Sequence, residues 1–178
     1  MAEAFSNKVQ RAAGIVTTMT GGAIGITTNL ITGISTTHVA VNDLVDNGNY
    51  LLGTKVSSVG VSQVICDRDS TNTAAATAQS VKFLGVTTAY TSTGTKSILV
   101  GGTFANNTSN SVNLTVQVWD NSASAEVAIA GKIPVPNGSS FVITDAGKTV
   151  LESSDEVRIY CDTANAIDAT LSILTGVS

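Results

Sequence analysis

The sequence predicts an all-β protein. The expected architecture is an antiparallel β-sandwich of jelly-roll or Greek-key type, preceded by a small β module and an N-terminal arm with a short helix. Three observations carry this. Apolar residues alternate with period two from Ile98 to Leu174. Turn-forming residues break that pattern at short intervals. Charged residues make up only 12% of the chain, about half the usual share, and Ser, Thr, Asn and Gly take the outward positions.

The alternation and its turn breaks together define seven short strands, six of them marked by alternation. Val112, Leu114, Val116 and Val118 share one face, and Asn113, Thr115 and Gln117 share the other. Val127, Ile129 and Ile133 repeat the pattern, as do Phe141 with Ile143. Val157, Ile159 and Cys161 stand opposite Arg158 and Tyr160, and Ile167, Ala169, Leu171 and Ile173 opposite Asp168, Thr170 and Ser172. In Ile98–Phe104 the pair Gly101-Gly102 predicts a bulge or a close backbone approach. One apolar face per strand requires two sheets that cover each other, or a partner.

The breaks have chemical causes. Asn106–Asn110 is a run of side chains that bond their own backbone. Asp120-Asn121-Ser122, Pro136-Asn137-Gly138, Ala146-Gly147-Lys148 and Glu152–Asp155 supply the other turns. Connections this short favour antiparallel neighbours.

Upstream, residues 26–86 read as the small β module. Its strands are expected at Ile26–Ile34, Lys55–Val59, Gln63–Cys66 and Ser80–Leu84. Asp46-Asn47-Gly48-Asn49 is a turn and 67–78 a polar loop. Thr87–Lys96, without periodicity, reads as a linker to the sandwich at 87–178. Residues 1–25 read as the arm. Phe5, Val9, Ala12 and Ala13 fall at i, i+4, i+7 and i+8, one stripe of a short helix, and 14–25 reads as an extended Gly/Thr linker or a poorly packed edge strand.

Composition narrows the function. The net charge is −4, and Lys and Arg are few and scattered, which argues against nucleic acid. No apolar run is long enough for a membrane helix, and the first residues lack the order of a signal peptide. Cys66 and Cys161 read as buried small hydrophobes, with a disulfide as the alternative. Weakly charged strands are a pairing hazard at an open edge, so much of the surface is expected to be covered by other subunits. The alternative is a monomer with solvated Thr-rich faces.

No constellation for catalysis stands out. Asp67-Arg68-Asp69, with Asp43 and Asp46, offers oxygens for a hard cation but lacks the spacing of a calcium loop. It reads as a turn with an internal ion pair. Glu152, Asp155 and Glu156 share one turn, unlike the two carboxylates held across a glycosidase cleft. His38 is the only histidine, has no nucleophile elbow to serve, and reads as a turn residue. Gly21–Gly25 lacks the Lys-Ser/Thr of a phosphate loop. No enzyme, cofactor or metal is expected. The candidate interface residues are Phe5, Val9 and Ala12 on the arm, and Trp119, which ends the strongest strand on its polar parity.

Two segments resemble known modules. Leu30–Ser35, Val41–Val45 and Gly53–Val56, continued through Val64 to Thr73, resemble a small β module common in virion proteins of tailed bacteriophages. Ile98–Ile173, with Asn113–Val116, Ile133–Ser140 and Val150–Arg158, is similar to a β-sandwich of phage head, neck and tail proteins. The resemblance covers most of the chain after residue 26. It implies a non-enzymatic virion component, assembled in the host cytoplasm, whose partners are further copies of itself and other virion proteins. A capsid cement or decoration protein is the first expectation, and a neck, collar or tail-associated protein the alternative. The lack of a fibrous repeat or an enzymatic head argues against a fibre shaft or a depolymerase spike. From another class, a carbohydrate- or receptor-binding module would have Trp119, Tyr90 and Tyr160 as its main aromatics.

Overall fold

A computed structural model describes residues 3–94, 96–144 and 148–177. These contain fifteen β-strands and no helix, and every strand pair is antiparallel. The chain forms two compact units. One is Met1–Gly14 with Thr87–Ser178, and the other is Ile15–Val86.

The first unit holds β1 (Ala4–Ala13), β8 (Thr87–Thr91), β9 (Lys96–Asn106), β10 (Val112–Asp120), β11 (Ala125–Val135), β12 (Ser140–Ile143), β13 (Thr149–Leu151), β14 (Glu156–Cys161) and β15 (Ile167–Val177). One sheet has the order β1-β15-β9-β12, with β13 also on β9; the other is β11-β10-β14-β8. β12 and β13 pair with opposite halves of β9, so they act as one interrupted edge strand. Both sheets contribute to one apolar core. Leu99, Phe104, Leu171 and Ile173 come from the first sheet, and Leu114, Val116, Val157 and Ile159 from the second. These are positions of the period-two pattern, so the alternation marks the inward side of most strands. β11 departs from it, since its register on β10 shifts twice and the expected inward residues Val127 and Ile129 are exposed.

A bulge lies beside the glycine pair in β9, and the glycines themselves allow a close approach. The register of β9 on β15 shifts between Ser172 and Ile173, which leaves Val100 as the extra residue. A Cβ at Gly102 would lie 2.8 Å from Leu171 Cδ2, and one at Gly101 would lie 3.0 Å from the Ile143 carbonyl oxygen. Of the turn at Ala146-Gly147-Lys148, Ala146 and Gly147 lie outside the described residues.

The second unit holds β2 (Ile15–Ile24), β3 (Leu30–Thr32), β4 (Leu44–Asp46), β5 (Val56–Gly60), β6 (Gln63–Cys66) and β7 (Ala76–Gly85), in the order β4-β7-β2-β3-β6-β5. The two ends of that order also meet. Leu44 bridges Lys55, the Val45 N–H donates to the Thr54 carbonyl at 2.8 Å, and the Val56 N–H donates to the Asp43 carbonyl at 2.9 Å. The six strands therefore close into a small barrel, which removes the open edges a flat sheet would leave. Its interior is filled by Ile24, Ile31, Val45, Val64, Val81 and Phe83.

Several expectations are corrected. The N-terminal helix is absent: Ala4–Ala13 is β1, paired with β15 from Ala4↔Thr175 to Ala13↔Ile167. The arm 1–25 is divided, because β1 completes a sheet of the first unit and β2 is an interior strand of the barrel rather than a linker or edge. Thr87–Lys96 is not featureless, since Thr87–Thr91 is β8 on β14. The strand expected at Ile26–Ile34 shortens to Leu30–Thr32.

Candidate interaction surfaces

The two sheets of the first unit treat their outward faces differently. On the β10–β14 sheet, outward positions hold a charged and aromatic cluster. Trp119 of β10 is opposite Glu156 of β14 and Glu126 of β11. The Arg158 guanidinium lies 4.5 Å above the Trp119 ring, a cation–π arrangement. Its Nε donates to Glu156 Oε2 at 2.8 Å and its Nη1 to Glu126 Oε1. The Glu126 side chain is only 3% exposed. Tyr160 is fully buried and donates to Glu126 at 3.4 Å, and Thr88 donates to Glu156 at 3.2 Å. Burial, and then the Glu126 charge, raise the Tyr160 phenol above its ordinary pKa. Gln117 and Thr115 are buried on the same face, and Thr115 Oγ1 accepts from the Lys132 N–H.

The outward face of the β1–β15–β9 sheet has no such cover. The pairs Phe5↔Leu174, Leu174↔Ile98 and Ile98↔Val150 align one row of apolar side chains across all four strand rows. A second row runs Val9, Thr170, Thr103 and Val142. Phe5 is 69% exposed and Val9 71%, and Val142 and Val150 are also exposed. Between these rows lie Asn7, Ser172 and Gly101. On β1, β15 and β9 no charged residue occupies the two rows or the outward positions between them, while the exposed Lys148 lies between Val142 and Val150 on the outer edge.

Of the expected interface residues, Phe5 and Val9 thus share a strand face. Ala12 is not part of it. It sits in the irregular stretch between Gln10 and Ala13 with φ +53°, and its N–H donates to Asp168 Oδ1 at 2.8 Å. Trp119 lies on the other sheet, half-buried beneath Arg158. The Glu126–Arg158 pair escaped the sequence reading. Its signal is register: Arg158 has outward parity, and the turn after Asp120 brings Glu126 back beside Trp119.

The other candidates do not converge. Asp155 is buried as a turn acceptor for the Glu152 and Asn121 N–H groups at 2.8 and 2.9 Å, while Glu156 faces Arg158. Asp67 accepts from the Lys55 N–H at 2.8 Å and lies 4.0 Å from Arg68. His38 occupies a turn with φ +64°, its carbonyl accepting from Thr17. Gly21–Ile24 lie within β2. Cys66 and Cys161 are buried and are not joined in a disulfide. Burial pushes the Cys66 thiol up to about 11, against a lowering hydrogen bond with Tyr50. Among the described residues no group of three His, Cys, Asp or Glu is placed to hold a metal, and no helix is long and apolar enough to cross a membrane.

No protein-family model matches the chain, and no match appears among curated proteins or solved structures.

Proposed function

We propose that this chain is a structural subunit of a tailed-phage virion, acting through subunit contacts as a capsid cement or decoration protein. The observation that carries the reading is the outward face that exposes Phe5, Val9, Val142 and Val150, with no charged residue in its rows on β1, β15 and β9. Several large aliphatic side chains exposed together on one sheet face suit an assembly surface. The fold supports the same reading. Strand orders β1-β15-β9-β12/β13 and β8-β14-β10-β11 follow the winding of an eight-stranded jelly roll, an architecture of viral shells. The barrel is inserted between its first two strands. The sequence resemblance supplies the phage context, and a neck, collar or tail location uses the same surface in the same way.

The carbohydrate-binding reading is less well supported. Trp119, its best stacking platform, already carries a guanidinium. Immunolabelling or reconstruction of purified particles tests the proposal. The expected result is stoichiometric density on the head, and density at the neck or tail selects the alternative placement. Absence from particles overturns the virion reading altogether.

A further inference from the structure

We propose that the outward face of the β1–β15–β9–β12/β13 sheet docks a second copy of this chain, face to face, about a two-fold axis lying across the strands. The inference rests on the reading of the chain as an assembling subunit and names the surface and its occupant.

Three features select a second copy. The first is extent. β9 and β15 are eleven residues long, or about 36 Å at roughly 3.3 Å per residue, and four strand rows span about 19 Å. Two such faces together offer on the order of 1,300 Å², within the range of a stable dimer interface. The second is self-complementarity. The two aligned rows each have apolar side chains at both ends, Phe5 and Val150 in one, Val9 and Val142 in the other. A two-fold axis across the strands lays one row on the other, so that Phe5 meets the partner copy's equivalent of Val9, and Val150 that of Val142. An isologous contact needs this reciprocity.

The third feature is the charge at the ends of the face. Glu3 precedes β1 and Lys96 opens β9 at one end. Arg11, late in β1, and Asp168, early in β15, lie at the other. The same axis brings Glu3 of one copy towards the Arg11 position of the other, and Lys96 towards the Asp168 position. The chain's net charge of −4 does not oppose the contact, because the centre of the face is uncharged.

Sedimentation of the intact chain tests this without particles, so it can fail while particle localisation succeeds. The wild-type chain is expected to sediment as a dimer. The triple variant Phe5→Glu/Val142→Glu/Val150→Glu changes only exposed positions. It is expected to keep the wild-type circular dichroism and to lose the dimer. Orientation is read by oxidation of Phe5→Cys/Val9→Cys. Positions four apart on one strand are separated by about 13 Å, too far for a bond within one chain. Covalent dimers are therefore expected from this variant and not from Phe5→Cys/Val150→Cys. A wild-type chain that stays monomeric, a triple variant that stays dimeric, or cross-linking only through the second cysteine pair overturns the proposal.

Discussion

The outward faces of the two sheets are built to opposite ends. On one, Arg158 bridges Glu126 and Glu156 and lies over Trp119, so the charged groups of adjacent strands satisfy one another, while Gln117 Oε1 on the same face is buried without a hydrogen bond. On the other, Phe5, Leu174, Ile98 and Val150 form a row with no charged group among them. The inward faces of both sheets are alike in Val, Leu and Ile. The contrast teaches that inward positions report folding, whereas outward positions report what each face is for. A face that closes on itself leaves little for a partner. A face that leaves aliphatic side chains in water stabilises the isolated fold little and is available for association.

Substitutions can break this contrast in order of expected size. Arg158→Leu has the largest effect. It removes the guanidinium from the buried Glu126 carboxylate and should destabilise the chain by about 3–5 kcal/mol in denaturant unfolding. Adding Glu126→Leu should recover much of that loss, because the penalty comes from the remaining charge. Gly102→Ala tests the inward side of β9. The added methyl meets Leu171 at 2.8 Å and Phe104 at 3.2 Å, and overpacking of this kind costs about 1–3 kcal/mol, read in the same titration. Trp119→Ala removes the platform under Arg158 and should cost about 1–2 kcal/mol while leaving circular dichroism unchanged. Val150→Ser, on the open face, should fall within about 0.5 kcal/mol under dilute conditions where the chain is monomeric. A large loss there would mean that the face is covered within its own chain.

A pH series sharpens the point with a carboxylate of another kind. Asp43 is buried in the barrel, and its Oδ2 accepts from the Ala40 N–H at 2.9 Å. Burial raises its pKa, although that hydrogen bond works against the rise. The folded pKa thus lies above the unfolded one, so the charged form is disfavoured in the fold. The stability deficit is present above the folded pKa and shrinks as the pH falls through it. Asp43→Asn keeps an acceptor for Ala40 and removes the titration. The gap between variant and wild type, measured by unfolding from neutral to acid pH, should narrow on acidification.

Most strands from β9 onward were legible because they lie in layers with one buried face, where alternation is enforced. On β11 two register shifts break the pattern and leave Val127 and Ile129 exposed. β1 was not. Phe5 and Val9 fit a helical stripe, yet they are equally i and i+4 on one side of a strand, and the inward positions Ser6, Lys8 and Gln10 are polar. β1 is held by main-chain bonds to β15, which leave no mark in side-chain pattern. β2 was illegible for another reason. In a narrow barrel a small residue can be the fitting one: a Cβ at Gly22 would lie 3.2 Å from Ile34 Cγ2. The Glu126–Arg158 pair needed the register of three strands, which no single segment contains.

The barrel leaves and rejoins its host at two neighbouring points. Ile15 pairs with Gly85 at its base, and in the other unit the Gly14 N–H donates to Thr87 Oγ1 at 3.4 Å. A segment whose ends lie side by side, in both the inserted and the receiving structure, can be exchanged as a block by recombination. Whatever replaces residues 15–86 need only present two adjacent ends, and the strands that flank the junction keep their partners. The chain is thereby arranged so that its inserted part can diversify at the genetic level without renegotiating the pairing of β1 and β8.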